Sequence, residues 1–196
     1  YTRNGLTGLS KNQQEKWVLD PRVEPKFQIP DGFYNRDQGA FDKGHIVRRE
    51  DVCFGSNFAQ VRRANGDTFH VTNCSPQRAS FNRPPGIWGD LENFIGAQSD
   101  TERLCVFAAP ILAATDKVFP GTEEVKLPSR FWKVVCAVKK EKLQVFAFVL
   151  EQDVSDLPLE FQVDAEWKHR QVALKKLEPM IALVKFPKLY HDADQA

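Results

Sequence analysis

Three apolar segments in the second half of the chain limit its fold most: RLCVFAAPIL (103–112), FWKVVCAVK (131–139) and LQVFAFVLE (143–151). Each has strand length and is rich in β-formers. The last two are joined at KEK (140–142), a connection short enough to make them an antiparallel hairpin. Helical patterns lie on either side. PPGIWGDLENFIGA places Trp88, Leu91 and Ile95 at i, i+3 and i+7, one apolar stripe. Pro85 suits the first turn of that helix, while Gly86 and Gly89 would each weaken it by about 1 kcal/mol if they fell inside it. AEWKHRQVALKKLE (165–178) reads as a second helix, stopped by Pro179. NFAQVRRA (57–64) reads as a short helix ended by the NGD turn at 65–67, and TFHVTN (68–73) as a strand. Residues 1 to 40, full of turn formers, read as loops with short strands. The fold class is therefore α+β, with a mainly antiparallel central sheet flanked by helices.

A chain of 196 residues suits a single domain with one substantial core. No apolar run approaches the roughly 20 residues that span a bilayer, so no membrane partner is expected. No N-terminal stretch has the regions of a signal peptide. The chain opens at Tyr1 rather than Met, and the expectation is a domain cut from a longer protein or a processed product. The four cysteines, Cys53, Cys74, Cys105 and Cys136, form no C-x-x-C pair. They read as thiols packed as small hydrophobes in preference to disulfides.

Net charge is +1, but the cations are not evenly spread. Between Asp42 and Arg83, Lys43, Arg48, Arg49, Arg62, Arg63, Arg78 and Arg83 face only Asp42, Glu50, Asp51 and Asp67, a local excess of +3. Such a patch suits phosphate, and a solvated loop face explains it equally well. Within it lies FDKGHIVRRE (41–50), which sets His45 behind a glycine and among cations. Downstream come TNCSPQRASFN (72–82) and WGDLE (88–92). Taken singly, these residues have bland readings. His45 would be a structural histidine at a strand end, Asn82 a turn or helix-start residue before RPP, and Glu92 a solvated carboxylate. His70 alternates with Phe69 and Val71 and reads as structural. His169 and His191 have no motif around them.

Read together, DKGH, TNCSPQ…N and W…LE resemble the DNA/RNA non-specific endonucleases, the ββα-metal nucleases of the Serratia nuclease type. The resemblance covers roughly residues 16 to 150. It implies a ββα-metal core, Mg2+ (or Mn2+ in its place) as cofactor, and DNA and RNA as substrates. It implies His45 as the general base that activates water and Asn82 as the direct metal ligand. Glu92 would hydrogen-bond metal waters, and Asn73 would be a supporting polar residue near the scissile phosphate. Lys43, Arg78 and Arg83 are the candidate phosphate contacts. A metal water would protonate the leaving 3′ oxygen, and products would carry 5′ phosphates.

The chemistry of these residue types agrees. A neutral imidazole is a suitable base near neutral pH. Mg2+ keeps most of its waters and needs only one or two protein oxygens. Gly44 would let the backbone turn sharply, or let a phosphate approach beside the base.

The chain also departs from the family pattern. Lys43 stands where arginine is usual, keeping the charge without the bidentate fork. The RPPG stretch lengthens the spacing from Asn82 to Trp88 by two residues. Gly96 occupies a common arginine position one turn after Glu92, and Lys16 is the nearest basic residue in KWVLDP. These changes imply a weaker phosphate grip, a different substrate preference, or activity that requires a partner. The alternative function is a degenerate nuclease fold that binds nucleic acid non-specifically without turnover.

Overall fold

The structure is a computed structural model that describes residues 16–34, 41–99, 104–116, 126–154, 170 and 172–194. The chain divides into two compact units, residues 1–79 and 80–196. Both combine helices with antiparallel strands, as the α+β reading requires.

In the first unit, β1 (Asp42–His45) pairs antiparallel with β2 (Cys74–Gln77), with His45 opposite Cys74 and Gly44 opposite Ser75. A short helix, α1 (Asp31–Tyr34), precedes them, and α2 (Phe58–Asp67) lies between them in sequence. Asn57 caps α2, its side chain accepting from the Gln60 amide at 3.0 Å. The NGD turn does not end this helix, which continues through Asn65 and Gly66. Asn65 is fully buried and its Oδ1 accepts from Arg49 Nε at 3.0 Å, so it is not turned back on its own backbone.

The expected strand at 68–73 is also absent. The Thr68 hydroxyl donates to the Asn65 carbonyl at 2.7 Å, tying it to the end of α2. Val71–Asn73 then forms a 3-10 turn, and His70 makes a single bridge to Val18. Upstream, among the described residues, the turn formers build a 3-10 turn (Pro25–Phe27) and α1 in place of short strands.

The second unit opens within α3 (Ala79–Asn82), followed by α4 (Ile87–Gln98). The Trp88, Leu91 and Ile95 stripe is buried, as its spacing predicts. Pro85 lies before α4 rather than in its first turn, and Gly86 takes the N-cap position. A three-stranded antiparallel sheet follows in the order β3 (Leu104–Ile111), β4 (Arg130–Lys139), β5 (Lys142–Glu151). The expected hairpin turns at Lys140 and Glu141, with φ of 50° and 62°. Positive φ at both central residues matches the right-handed twist of the strands.

The central strand β4 is buried on both faces. Trp132, Val134 and Cys136 pack with Leu174 and Leu177 of α5 (Leu174–Ile181). The opposite parity carries Phe131, whose ring lies 5.4 Å from Trp88. Pro179 sits inside α5 rather than ending it, and the helix closes at Ala182 with φ of 41°. Most of the predicted span before it (165–169 and 171) lies outside the described residues. The C-terminal helix α6 (Lys188–Asp192) completes the unit. No described helix is long and apolar enough to cross a membrane.

Candidate active site

His45 ends β1 in an aromatic box. The Trp17 ring centroid lies 4.6 Å from the imidazole, and Phe69 meets it edge-on at 4.9 Å. Burial between these rings, with the nearby Arg49 charge, lowers the His45 pKa to about 4. Both causes disfavour the imidazolium, so the ring is neutral at neutral pH. Its Nε2 lies 3.5 Å from Thr68 Oγ1. The Thr68 hydroxyl itself donates to the Asn65 carbonyl at 2.7 Å.

Asn73 fastens this arrangement. Its Oδ1 accepts from the Val47 amide, and its Nδ2 donates to the carbonyls of Val47 and Thr68, each at 2.9 Å. The side chain joins the turn after His45 to the residue that faces His45 Nε2. The structure thus gives Asn73 a positioning part.

Gly44 has a clear cause. It lies in an extended strand, and a Cβ there would overlap Gln77 Oε1, Cδ and Cγ, all within 2.6 Å. Of the two expected reasons, neither a sharp turn nor an open approach for phosphate describes it. The glycine makes room for a fully buried glutamine whose Oε1 and Nε2 have no hydrogen-bond partner.

The upstream stretch KWVLDP supplies Trp17, and it is locked from below. Asp20 takes both Arg22 Nε and Nη2, at 2.8 and 2.7 Å, and Thr72 Oγ1 at 3.0 Å. These bonds, the Arg22 side chain first, hold its carboxyl well below the usual range. Gln28 ties the Asp20 backbone from the other side.

Among the expected phosphate contacts, Lys43 is ion-paired with Asp31 and lies 5.8 Å above the Tyr34 ring. Arg78 lies over Phe41 at 4.9 Å. Arg83 is exposed in the second unit, and Lys16 is exposed in the first.

Asn82 and Glu92 both belong to the second unit. Asn82 is the last residue of α3, and Glu92 sits in the middle of α4. The two helices approach closely at glycines. A Cβ on Gly89 would come within 2.5 Å of the Asn82 carbonyl oxygen, and one on Gly86 within 2.5 Å of the Ser80 and Phe81 carbonyls. These two glycines therefore set how near the Asn82 backbone comes to the helix that carries Glu92.

Glu92 is buried, which excludes its reading as a solvated carboxylate. Its Oε1 is 3.2 Å from Lys133 Nζ, and that ammonium stands 3.8 Å over the Trp88 ring. The sequence reading passed over Lys133, although a lysine at the parity of Phe131 and Val135 in an apolar strand was a signal. Trp17, Phe69 and Gln77 were missed because only pairing and packing bring them to the DKGH segment.

A carboxamide and a carboxylate are hard oxygen donors, suited to Mg2+ with most of its waters retained. Among the described residues no three His, Cys, Asp or Glu side chains converge. The donor types therefore fit Mg2+, which Asn82 and, through waters, Glu92 would hold.

Comparison with known proteins gives the same direction. The pattern of the family described as "DNA/RNA non-specific endonuclease" matches residues 2–190. The uncharacterized protein y4fB of Sinorhizobium fredii is 34% identical over 173 residues, covering 83% of this chain and 26% of its own length. The human "Nuclease EXOG, mitochondrial" is 24% identical over 98% of this chain and 52% of its own length. Its Danio rerio counterpart is 27% identical over 94% of this chain and 53% of its own length. The chain thus spans about half the length of the nuclease relatives, and a quarter of y4fB. With a family match over nearly the whole chain, this chain belongs to the DNA/RNA non-specific endonucleases.

Proposed function

We propose that this chain is a Mg2+-dependent endonuclease. It hydrolyses phosphodiester bonds of DNA and RNA without base recognition, leaving 5′ phosphates. The observation that carries the reading is the state of His45. A histidine kept neutral by burial beside Trp17 and Phe69, with its Nε2 3.5 Å from the Thr68 hydroxyl, retains an unprotonated ring nitrogen. That is the form a general base requires.

In this mechanism His45 takes a proton from the attacking water, and Asn73 and Thr68 hold the ring in place. Asn82 binds the metal and Glu92 orients its waters, with Lys133 holding the Glu92 carboxylate. Mg2+, when bound, neutralises charge on the phosphoryl oxygens and at the leaving 3′ oxygen. Lys43, Arg78 and Arg83 contact phosphates, which explains indifference to base sequence. The reading keeps residues 1–196 as a single nuclease domain.

The test is digestion of supercoiled plasmid and of RNA, with Mg2+ and with EDTA. Cleavage of both, dependent on the metal and lost in His45→Ala, is expected, the base contributing about 10²–10⁴ in rate. Asn82→Ala should raise the Mg2+ requirement more than Glu92→Gln does. A second reading, binding without turnover, draws on Lys43 being paired with Asp31 and on the glycine at position 96. Salt-sensitive binding with no cleavage at any Mg2+ concentration would favour it.

A further inference from the structure

The two strand cysteines stand opposite each other. Cys105 on β3 and Cys136 on β4 are direct cross-strand partners. The hairpin fixes which kind of pair they form. Its two-residue turn closes on Lys139 and Lys142, and the pair that flanks such a turn exchanges its backbone hydrogen bonds. Successive residues then point their N–H and C=O groups alternately to opposite neighbours. Lys139 therefore faces β5, and Cys136, three residues back, faces β3. An independent bond agrees: Val145, the partner of Cys136 on β5, donates its amide away from β4 to the Ala193 carbonyl at 2.8 Å. Cys105 and Cys136 are thus a hydrogen-bonded antiparallel pair, whose Cα atoms lie about 5.5 Å apart with side chains on one face. The Cα separation is inside the range of about 4.4–6.8 Å that a disulfide spans, while the Cβ atoms, about 5.5 Å apart in such a pair, must draw in to about 4.5 Å, so the closed bond is strained and readily reduced.

We propose that Cys105 and Cys136 are an oxidant-sensitive dithiol that closes to a cross-strand disulfide on reaction with a hydroperoxide. The two sulfurs differ in access, which assigns their order. Cys105 is exposed on the edge strand, and Cys136 is buried in the core cluster with Trp132 and Val134. The Cys105 thiolate attacks one peroxide oxygen, the O–O bond breaks, and the other oxygen takes a proton and leaves as an alcohol, or as water when the oxidant is hydrogen peroxide. The resulting sulfenic acid is attacked at sulfur by Cys136, which gives up its proton; the S–O bond breaks and the oxygen leaves as water. Two thiols lose two electrons, and the peroxide gains them.

Burial, with Cys105 nearby, pushes the Cys136 thiol up to about 11, so the thiolate that closes the bond forms more readily as pH rises. The other two cysteines are internal controls. Cys53 is buried and donates to the Arg49 carbonyl at 2.8 Å, and Cys74 is 3.1 Å from the Tyr34 hydroxyl. Neither has a cysteine as its strand partner.

The experiment treats the full chain with hydrogen peroxide in neutral and in mildly alkaline buffer, blocks residual thiols, and maps peptides without reduction. A Cys105–Cys136 linked peptide is expected, forming faster in the alkaline sample, reversed by dithiothreitol and absent in Cys105→Ser. Because Cys105 is exposed, that variant should fold as the parent does. Cys105 recovered as sulfinic acid or as an intermolecular dimer, with Cys136 still reduced, overturns the proposal.

Discussion

Lys133 Nζ lies 3.2 Å from Glu92 Oε1 with both side chains buried, the lysine only 2% exposed, and the ammonium rests over the Trp88 ring. One charge comes from the centre of a strand and the other from the middle of a helix. Their mutual attraction offsets part of the desolvation of each. Lys133→Met should therefore lower stability, by up to the roughly 3–5 kcal/mol that removing one member of a buried ion pair costs. The double variant with Glu92→Gln should recover much of that loss. Urea unfolding of the single and double variants measures it. A single variant as stable as the parent would show that Glu92 has other support of equal strength.

The pH dependence of His45 has a definite sign. Its folded pKa is lowered to about 4 from the ordinary 6.5, so the base form persists in the fold well below neutrality. The acid limb of kcat/KM for plasmid cleavage should fall near pH 4 rather than near 6.5. For stability, the unfolded chain takes up the proton first as pH falls. The contribution of neutral His45 is fully present above 6.5 and is lost as pH falls toward 4. Trp17→Ala admits water to the ring and should move the acid limb upward. An acid limb already near 6.5 in the parent would place His45 in a wetter site than the aromatic box provides.

Gly44→Ala places a methyl group on the Gln77 side chain. Gln77 is fully buried and cannot swing to solvent, so the expected loss is about 1–3 kcal/mol, typical of overpacking. Shortening the glutamine in Gly44→Ala/Gln77→Ser should return part of it. Thermal melts of the three variants are the measurement. Additive losses in the double variant would mean that the two side chains do not compete for one space.

Position 96 tests whether the family arginine could simply be restored. α4 continues past Gly96 to Gln98, and the Ser99 hydroxyl donates to the Gly96 carbonyl at 2.9 Å, so this glycine is not the terminating residue. It is, however, buried. Gly96→Arg gains about 1 kcal/mol of helix propensity and loses about 1–3 kcal/mol from crowding. A net fall in melting temperature without a gain in cleavage is expected. A stable variant with faster turnover would mean that an arginine there reaches solvent and substrate.

The strands and the α4 stripe were legible because burial imposes a period: alternation in FWKVVCAVK and LQVFAFVLE, and i, i+3, i+7 spacing in Trp88, Leu91 and Ile95. The motif residues His45, Asn82 and Glu92 were legible as residue types in a fixed order. The misread segments have a common physical cause. The NGD sequence signals a turn locally, but a tertiary bond from Arg49 to Asn65 holds it helical. TFHVTN alternates like a strand, but the Thr68 hydroxyl and the Asn73 amide fold it into a cap and a 3-10 turn. Local propensity is worth tenths of a kcal/mol per residue, and such contacts exceed it.

The amino-acid order alone determined the α+β class, the antiparallel hairpin and the chemical types available for catalysis. Only the tertiary structure decided the state of those groups. It set Trp17 and Phe69 against His45, lowering its pKa, and put Gln77 where the Gly44 side chain would be. It also brought Lys133 to Glu92, 41 residues away in sequence. Periodicity reports which face of an element is buried. Partners across elements follow from packing in three dimensions, and a pKa follows from the dielectric and charges those partners create.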